Sequence, residues 1–145
     1  MGIRILIADN DTFFCEGLHF HIKKHPGMEV IGEVKDGKTA IYMVRQLFPD
    51  VVIINIDLPD MNGIDTIGKI TARFPDVKII ARLVYPDRLL VSRIFKAGAS
   101  GYLLKDCLCD DVEHVVRTVI KNNISLSAKN IDTYINILFG AGSNG

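Results

Sequence analysis

Five apolar, β-branched runs punctuate the chain: Ile3 to Ala8, Met28 to Val34, Val51 to Ile56, Val77 to Val84, and Gly101 to Leu104. Runs of this length and make-up predict strands. They are apolar almost throughout rather than alternating with polar residues, which predicts strands covered on both faces, as in a parallel sheet. The intervening segments carry the matching helical stripes. Phe14, Leu18 and Ile22 form the first, Ala40, Val44 and Leu47 the second, and Ile64, Ile67, Ile70 and Phe74 the third. Leu90, Ile94 and Ala97 mark a fourth helix ended by Gly98, and Val112, Val115, Val116 and Val119 mark a fifth. Right-handed crossovers then give a doubly wound (βα)5 sheet whose ligands sit beyond the carboxyl ends of the strands. After Lys121, residues 123–145 are expected to form a linker, with an extra C-terminal helix over Ala128 to Phe139 and a flexible tail from Gly140.

Composition narrows the picture. The chain has 145 residues, 48% hydrophobic and 23% charged, which suits one compact domain, residues 1–122, and is too apolar for a disordered chain. Seventeen basic side chains balance seventeen acidic ones, so a dedicated nucleic-acid binder is disfavoured. No apolar run approaches the roughly 20 residues needed to cross a bilayer. The N-terminus lacks a cleavage region of small residues, so mature, cytoplasmic protein is expected. Cys15, Cys107 and Cys109 do not resemble a disulfide framework and are expected to be reduced thiols.

Chemistry gathers at the expected rim. Asp9, Asn10 and Asp11 follow the first strand, Asn55 and Asp57 close the third, and Lys105 follows the fifth. Carboxylates converging there would suit a hard cation, and a lysine would suit a phosphoryl group. Solvated loop acids remain an equal alternative at this point.

Three stretches break that balance: Ile5 to Asp11, Pro49 to Asp65 (PDVVIINIDLPDMNGID), and Lys96 to Asp106 (KAGASGYLLKD). In order and spacing they resemble the receiver domains of response regulators, particularly the NarL/LuxR type, over about residues 3 to 122. The resemblance implies a flavodoxin-like fold and a part in two-component signal transduction. In such a phosphorelay, two acids and a phosphoacceptor aspartate hold magnesium, and a histidine kinase supplies the phosphoryl group. Asp9 matches the first acid, Lys105 the lysine and Tyr102 the switch aromatic. Three positions depart: Asn10 replaces the second acid, Asn55 the phosphoacceptor, and Leu83, twenty-two residues before Lys105, the usual Ser or Thr.

An amide offers no anionic oxygen nucleophile, so Asn55 is not expected to form an acyl phosphate. Amides in place of two carboxylates leave Asp9 a weak metal candidate; no cofactor is expected beyond weakly held magnesium. Leu83 offers no hydroxyl to a phosphoryl group, so Tyr102 is expected to be fixed rather than switching. A natural, atypical receiver is preferred over a conventional one with an engineered Asp-to-Asn block. On this reading, recovery of phosphorylation takes Asn55→Asp, Asn10→Asp and Leu83→Thr together. Asp57 matches a backbone carbonyl ligand and is a poor substitute acceptor. Lys105 is expected to pair with Asp9, with a water-directed lysine nearly as favoured, and Arg82 to be a snorkelling surface arginine in preference to one reaching a rim acid or an edge partner.

Two further groups invite a metal reading. His21 and His25 are four apart on the first helix, but no companion ligand lies near in sequence, so solvated histidines are favoured. Cys107 and Cys109 stand near the start of the fifth helix, whose dipole favours thiolate, but a lone C-x-C pair is weak evidence. The expected function is therefore a non-enzymatic regulatory module acting through protein contacts, including a homodimer, on the surface of the fourth and fifth helices and fifth strand. A histidine kinase remains a candidate partner. NarL/LuxR-type regulators continue into a helix-turn-helix domain for transcription regulation; here the chain ends first, leaving a truncated piece or a stand-alone receiver open. DNA would be met only through such an absent output domain. A flavin- or nucleotide-binding protein is the reading from another class, disfavoured because Asp9 to Phe14 is not a Gly-rich phosphate loop.

Overall fold

Parallel pairing of five strands organises the computed structural model, which describes residues 2–85, 87–107 and 109–122. The expected linker, helix and tail of residues 123–145 lie outside them. The order is β1 (Ile3–Ala8), α1 (Thr12–Lys23), β2 (Met28–Val34), α2 (Gly37–Leu47), β3 (Val51–Asn55), α3 (Gly63–Arg73), β4 (Lys78–Leu83), α4 (Arg88–Ala97), β5 (Gly101–Leu104) and α5 (Cys109–Asn122). Across the sheet the strands run β2-β1-β3-β4-β5, all parallel, with the reversal of direction at β1 and β3. This is the flavodoxin-like arrangement, whose ligand crevice lies at that switch point.

Side-chain parity divides the core. Leu6, Ala8, Val52, Ile54, Ile79, Ala81 and Leu83 face α2, α3 and α4. Ile5, Ile7, Val51, Ile53 and Ile80 face α1 and α5. Central β3 is buried along its whole length, which explains its unbroken apolar run. β2 is an edge strand: Glu29 and Glu33 are exposed, and a register shift between Ile5 and Leu6 leaves Ile31 as an extra residue opposite β1. Near-continuous burial therefore fails at this edge, because one side of the strand has no neighbouring strand among the described residues.

Polar side chains set four helix starts. Asp11 caps α1 by accepting from Phe14 N, Asp36 caps α2 from Thr39 N, Asn62 caps α3 from Ile64 N, and Asp87 caps α4 from Leu90 N. Gly98 ends α4 with φ 121°, a backbone conformation suited to glycine, so the expected stop is where the sequence puts it. The face of α4 differs from expectation. Val91, Ile94 and Phe95 are buried, whereas Leu90 and Ala97 are only half-buried, because the helix turns Phe95 toward the ring of Tyr102. Three strand ends are also shorter than expected: Ile56, Val77 and Val84 lie outside the ladders.

Candidate functional site

Register brings the polar residues together. Ala8 pairs with Ile54, and Asn55 pairs with Arg82, so Asp9, Asn55 and Arg82 meet at one level of the rim. Arg82 shares the parity of Ile80, and its side chain therefore enters the α1/α5 side of the sheet. There its Nε donates to Asp9 Oδ2 at 2.9 Å and a terminal nitrogen donates to Asp11 Oδ2 at 2.9 Å. The guanidinium carbon lies 3.9 Å from the centre of the Phe14 ring.

The expectation of a snorkelling surface arginine is thus corrected: Arg82 is 1% exposed and Asp9 0%. A central strand covered on both faces gives a charged side chain no route to water, so it must be paired inside. The reach of this arginine to a rim acid was the less favoured alternative, and its aromatic cover, Phe14, is the site residue that spacing alone missed. The signal was present, because a cation in a central apolar strand requires a buried anion.

Asn55, 3% exposed, is held at both ends of its amide. Nδ2 donates to Asp9 Oδ1 and Asn10 Oδ1, each at 3.2 Å, and Oδ1 accepts from Asp57 N at 2.9 Å. Asp9 Oδ1 also accepts from Asp11 N at 2.9 Å. Lys105 Nζ donates to Asp57 Oδ2 at 2.9 Å, which corrects the expected pairing with Asp9. Arg82 already neutralises Asp9, leaving the lysine to the more exposed carboxylate. Backbone donation from Phe14 holds the Asp11 carboxyl below its ordinary value, with help from Arg82 against the opposing effect of burial.

Leu83 is fully buried among the residues facing α2 to α4. Tyr102 is half-buried, its ring edge-on to Phe95 with centroids 6.3 Å apart. Magnesium, which the fold family implies, does not fit this donor set. Both Asp9 oxygens and the Asn10 amide oxygen already accept hydrogen bonds, and a guanidinium stands between Asp9 and Asp11.

The remaining candidates separate. Burial raises the Cys107 thiol above its ordinary value, opposing the thiolate that a helix dipole would favour. His21 and His25 keep part of their side chains in solvent, but α5 brings Glu113 against both, 92 residues from His21 in sequence, and His25 stands past the end of α1 rather than on the helix as expected. No helix among the described residues is long and apolar enough to cross a membrane.

Known proteins share the fold. The chain is 32% identical over 127 residues to the transcriptional regulatory protein DegU of Brevibacillus brevis, a match covering 88% of this chain and 54% of that protein. To the transcriptional regulatory protein LiaR of Bacillus subtilis it is 30% identical, covering 98% of this chain and 67% of the relative. It spans about half the length of most of these curated relatives. A solved two-component response regulator of the LuxR family from Aurantimonas sp. superposes with a TM-score of 0.79 at 24% identity, covering 95% of this chain and 98% of that one. The family model for the response regulator receiver domain matches residues 5–117, and the chain, with five parallel strands in that family's order, belongs to this family.

Proposed function

We propose that this receiver belongs to a two-component transcriptional regulator of the NarL/LuxR type and works without an acyl phosphate, through protein contacts. The observation that carries the reading is the Arg82 guanidinium between Asp9 and Asp11. It supplies, as a tethered side chain, the positive charge that magnesium supplies in a phosphorylated receiver. Asn55 stands at the phosphoacceptor position on this reading. Its amide, with both ends engaged, offers no nucleophile, and buried Leu83 offers no hydroxyl. On this reading residues 1–122 are the receiver and 123–145 a linker; the relatives named as transcriptional regulatory proteins are about twice this length.

A conventional receiver changed only at position 55 would not have an arginine in its metal pocket, which is why the natural reading is favoured. Protein contact is supported by exposed Tyr85 before α4 and Leu89 in its first turn, 73% and 67% exposed. These residues border the surface expected for a homodimer or other protein partner, and the module itself is non-catalytic.

The test is incubation with acetyl phosphate and magnesium. The intact mass should remain unchanged, and magnesium should show no saturable binding in the micromolar range. A phosphorylated species mapped to Asp57 or Asp11 would overturn the reading.

A further inference from the structure

The His21, His25 and Glu113 cluster lies on the α1/α5 side of the molecule and has no part in the signalling pocket. His21 stands in the last turn of α1 and His25 just past its C-cap, Lys24, with ring centroids 4.5 Å apart. Their Nε2 atoms stand 3.3 and 3.2 Å from the same Glu113 Oε1 on α5. One ligand atom from each of the three residues lies within 4.8 Å of the others. Asp110, one turn before Glu113, has Oδ1 3.6 Å from His21 Nε2.

We propose that these side chains form a site for a zinc-class divalent cation, with His21, His25 and Glu113 as ligands and Asp110 or water in the fourth place. The argument rests on distance and donor type. Ligands about 2.0–2.1 Å from a tetrahedral zinc lie about 3.3–3.4 Å from one another, the spacing that both histidines keep from Glu113. Two imidazole nitrogens and a carboxylate oxygen make a borderline donor set, suited to zinc rather than to magnesium or calcium. The second Glu113 oxygen accepts from Arg117 Nε at 3.1 Å, an outer hydrogen bond that fixes the carboxylate as metal-site carboxylates are commonly fixed. His21 and Glu113 are largely shielded, with 17% and 19% of their side chains exposed, while His25 at 32% leaves an ion a path from solvent.

A bound ion would join the beginning and end of the receiver, since α1 and α5 are far apart in sequence. By linkage it would favour the folded chain and raise Tm by several degrees at about a hundredfold excess over Kd.

The test is titration of the metal-free, untagged chain with zinc against a chromogenic chelator, with thermal melts in parallel. One equivalent should bind in the micromolar range or tighter and raise Tm. His21→Gln, His25→Gln and Glu113→Gln should each weaken binding by at least the roughly 10–100-fold typical of losing an outer-sphere partner, and should abolish the rise. Cys107→Ser with Cys109→Ser should leave binding intact. Cobalt in place of zinc should give the visible absorption of a nitrogen and oxygen site. Absence of saturable zinc binding at millimolar concentration would overturn the proposal. So would undiminished binding in variants whose circular dichroism shows them folded.

Discussion

Arg82 is where one side chain carries most consequence. Truncation to Arg82→Ala would leave Asp9 buried without its cation, and the loss should be about 3–5 kcal/mol, read from urea unfolding. Combining Arg82→Met with Asp9→Asn removes both charges and should recover part of that loss, because residues in one ion pair are not additive. An Arg82→Ala chain as stable as the parent would show that the pair contributes nothing. Cys15 offers a pH-dependent counterpart. Burial, with Glu33 adding to it, raises this thiol from 9.0 to about 12. Its folded value lies above its unfolded one, so its stabilising contribution is complete below about 9 and is lost as pH rises toward about 12. Alkaline unfolding midpoints should therefore fall less steeply in Cys15→Ala than in the parent, and identical slopes would contradict the assignment.

Among the elements, the turn from β3 into α3 is the least tolerant. A Cβ on Gly63 would overlap the backbone of Ile56, whose carbonyl accepts the Gly63 N–H at 3.0 Å. Gly63→Ala should cost about 1–3 kcal/mol as the turn shifts to make room, and an unchanged unfolding midpoint would show that it relaxes freely. Strand identities were legible because β1, β3 and β4 bury almost everything they carry. The face of α4 was less so. The sets Leu90, Ile94, Ala97 and Val91, Ile94, Phe95 both fit a helical period, and only packing against Tyr102 decides between them. The rim acids were legible from position, but their partners were not. Lys105 reaches Asp57 where Arg82 holds Asp9, and Glu113 meets His21 because the fold sets α5 beside α1, neither of which spacing reveals.

For the molecule as a whole, the proposed reading predicts that the pocket and the switch have to be changed together to gain phosphorylation. Asn55→Asp alone should leave phosphorylation by a small donor near background, because Arg82 would still occupy the cation's place and Leu83 would still offer no hydroxyl. The three changes Asn55→Asp, Asn10→Asp and Leu83→Thr are therefore insufficient by themselves; a small apolar residue at position 82 completes the set. Intact mass after incubation with acetyl phosphate separates the two variants, and full labelling of the single one would return preference to an engineered block at position 55.

The sheet's margins bear on how copies of the chain can join. β2 shows outward acids and an extra residue that breaks its register, and β5 has only four residues to offer at the other margin. Irregular, charged or short margins resist the addition of another chain's strand, since the donors and acceptors no longer line up with a regular partner. Among the described residues both margins therefore disfavour the end-to-end growth of sheet on sheet that leads toward fibrous assemblies.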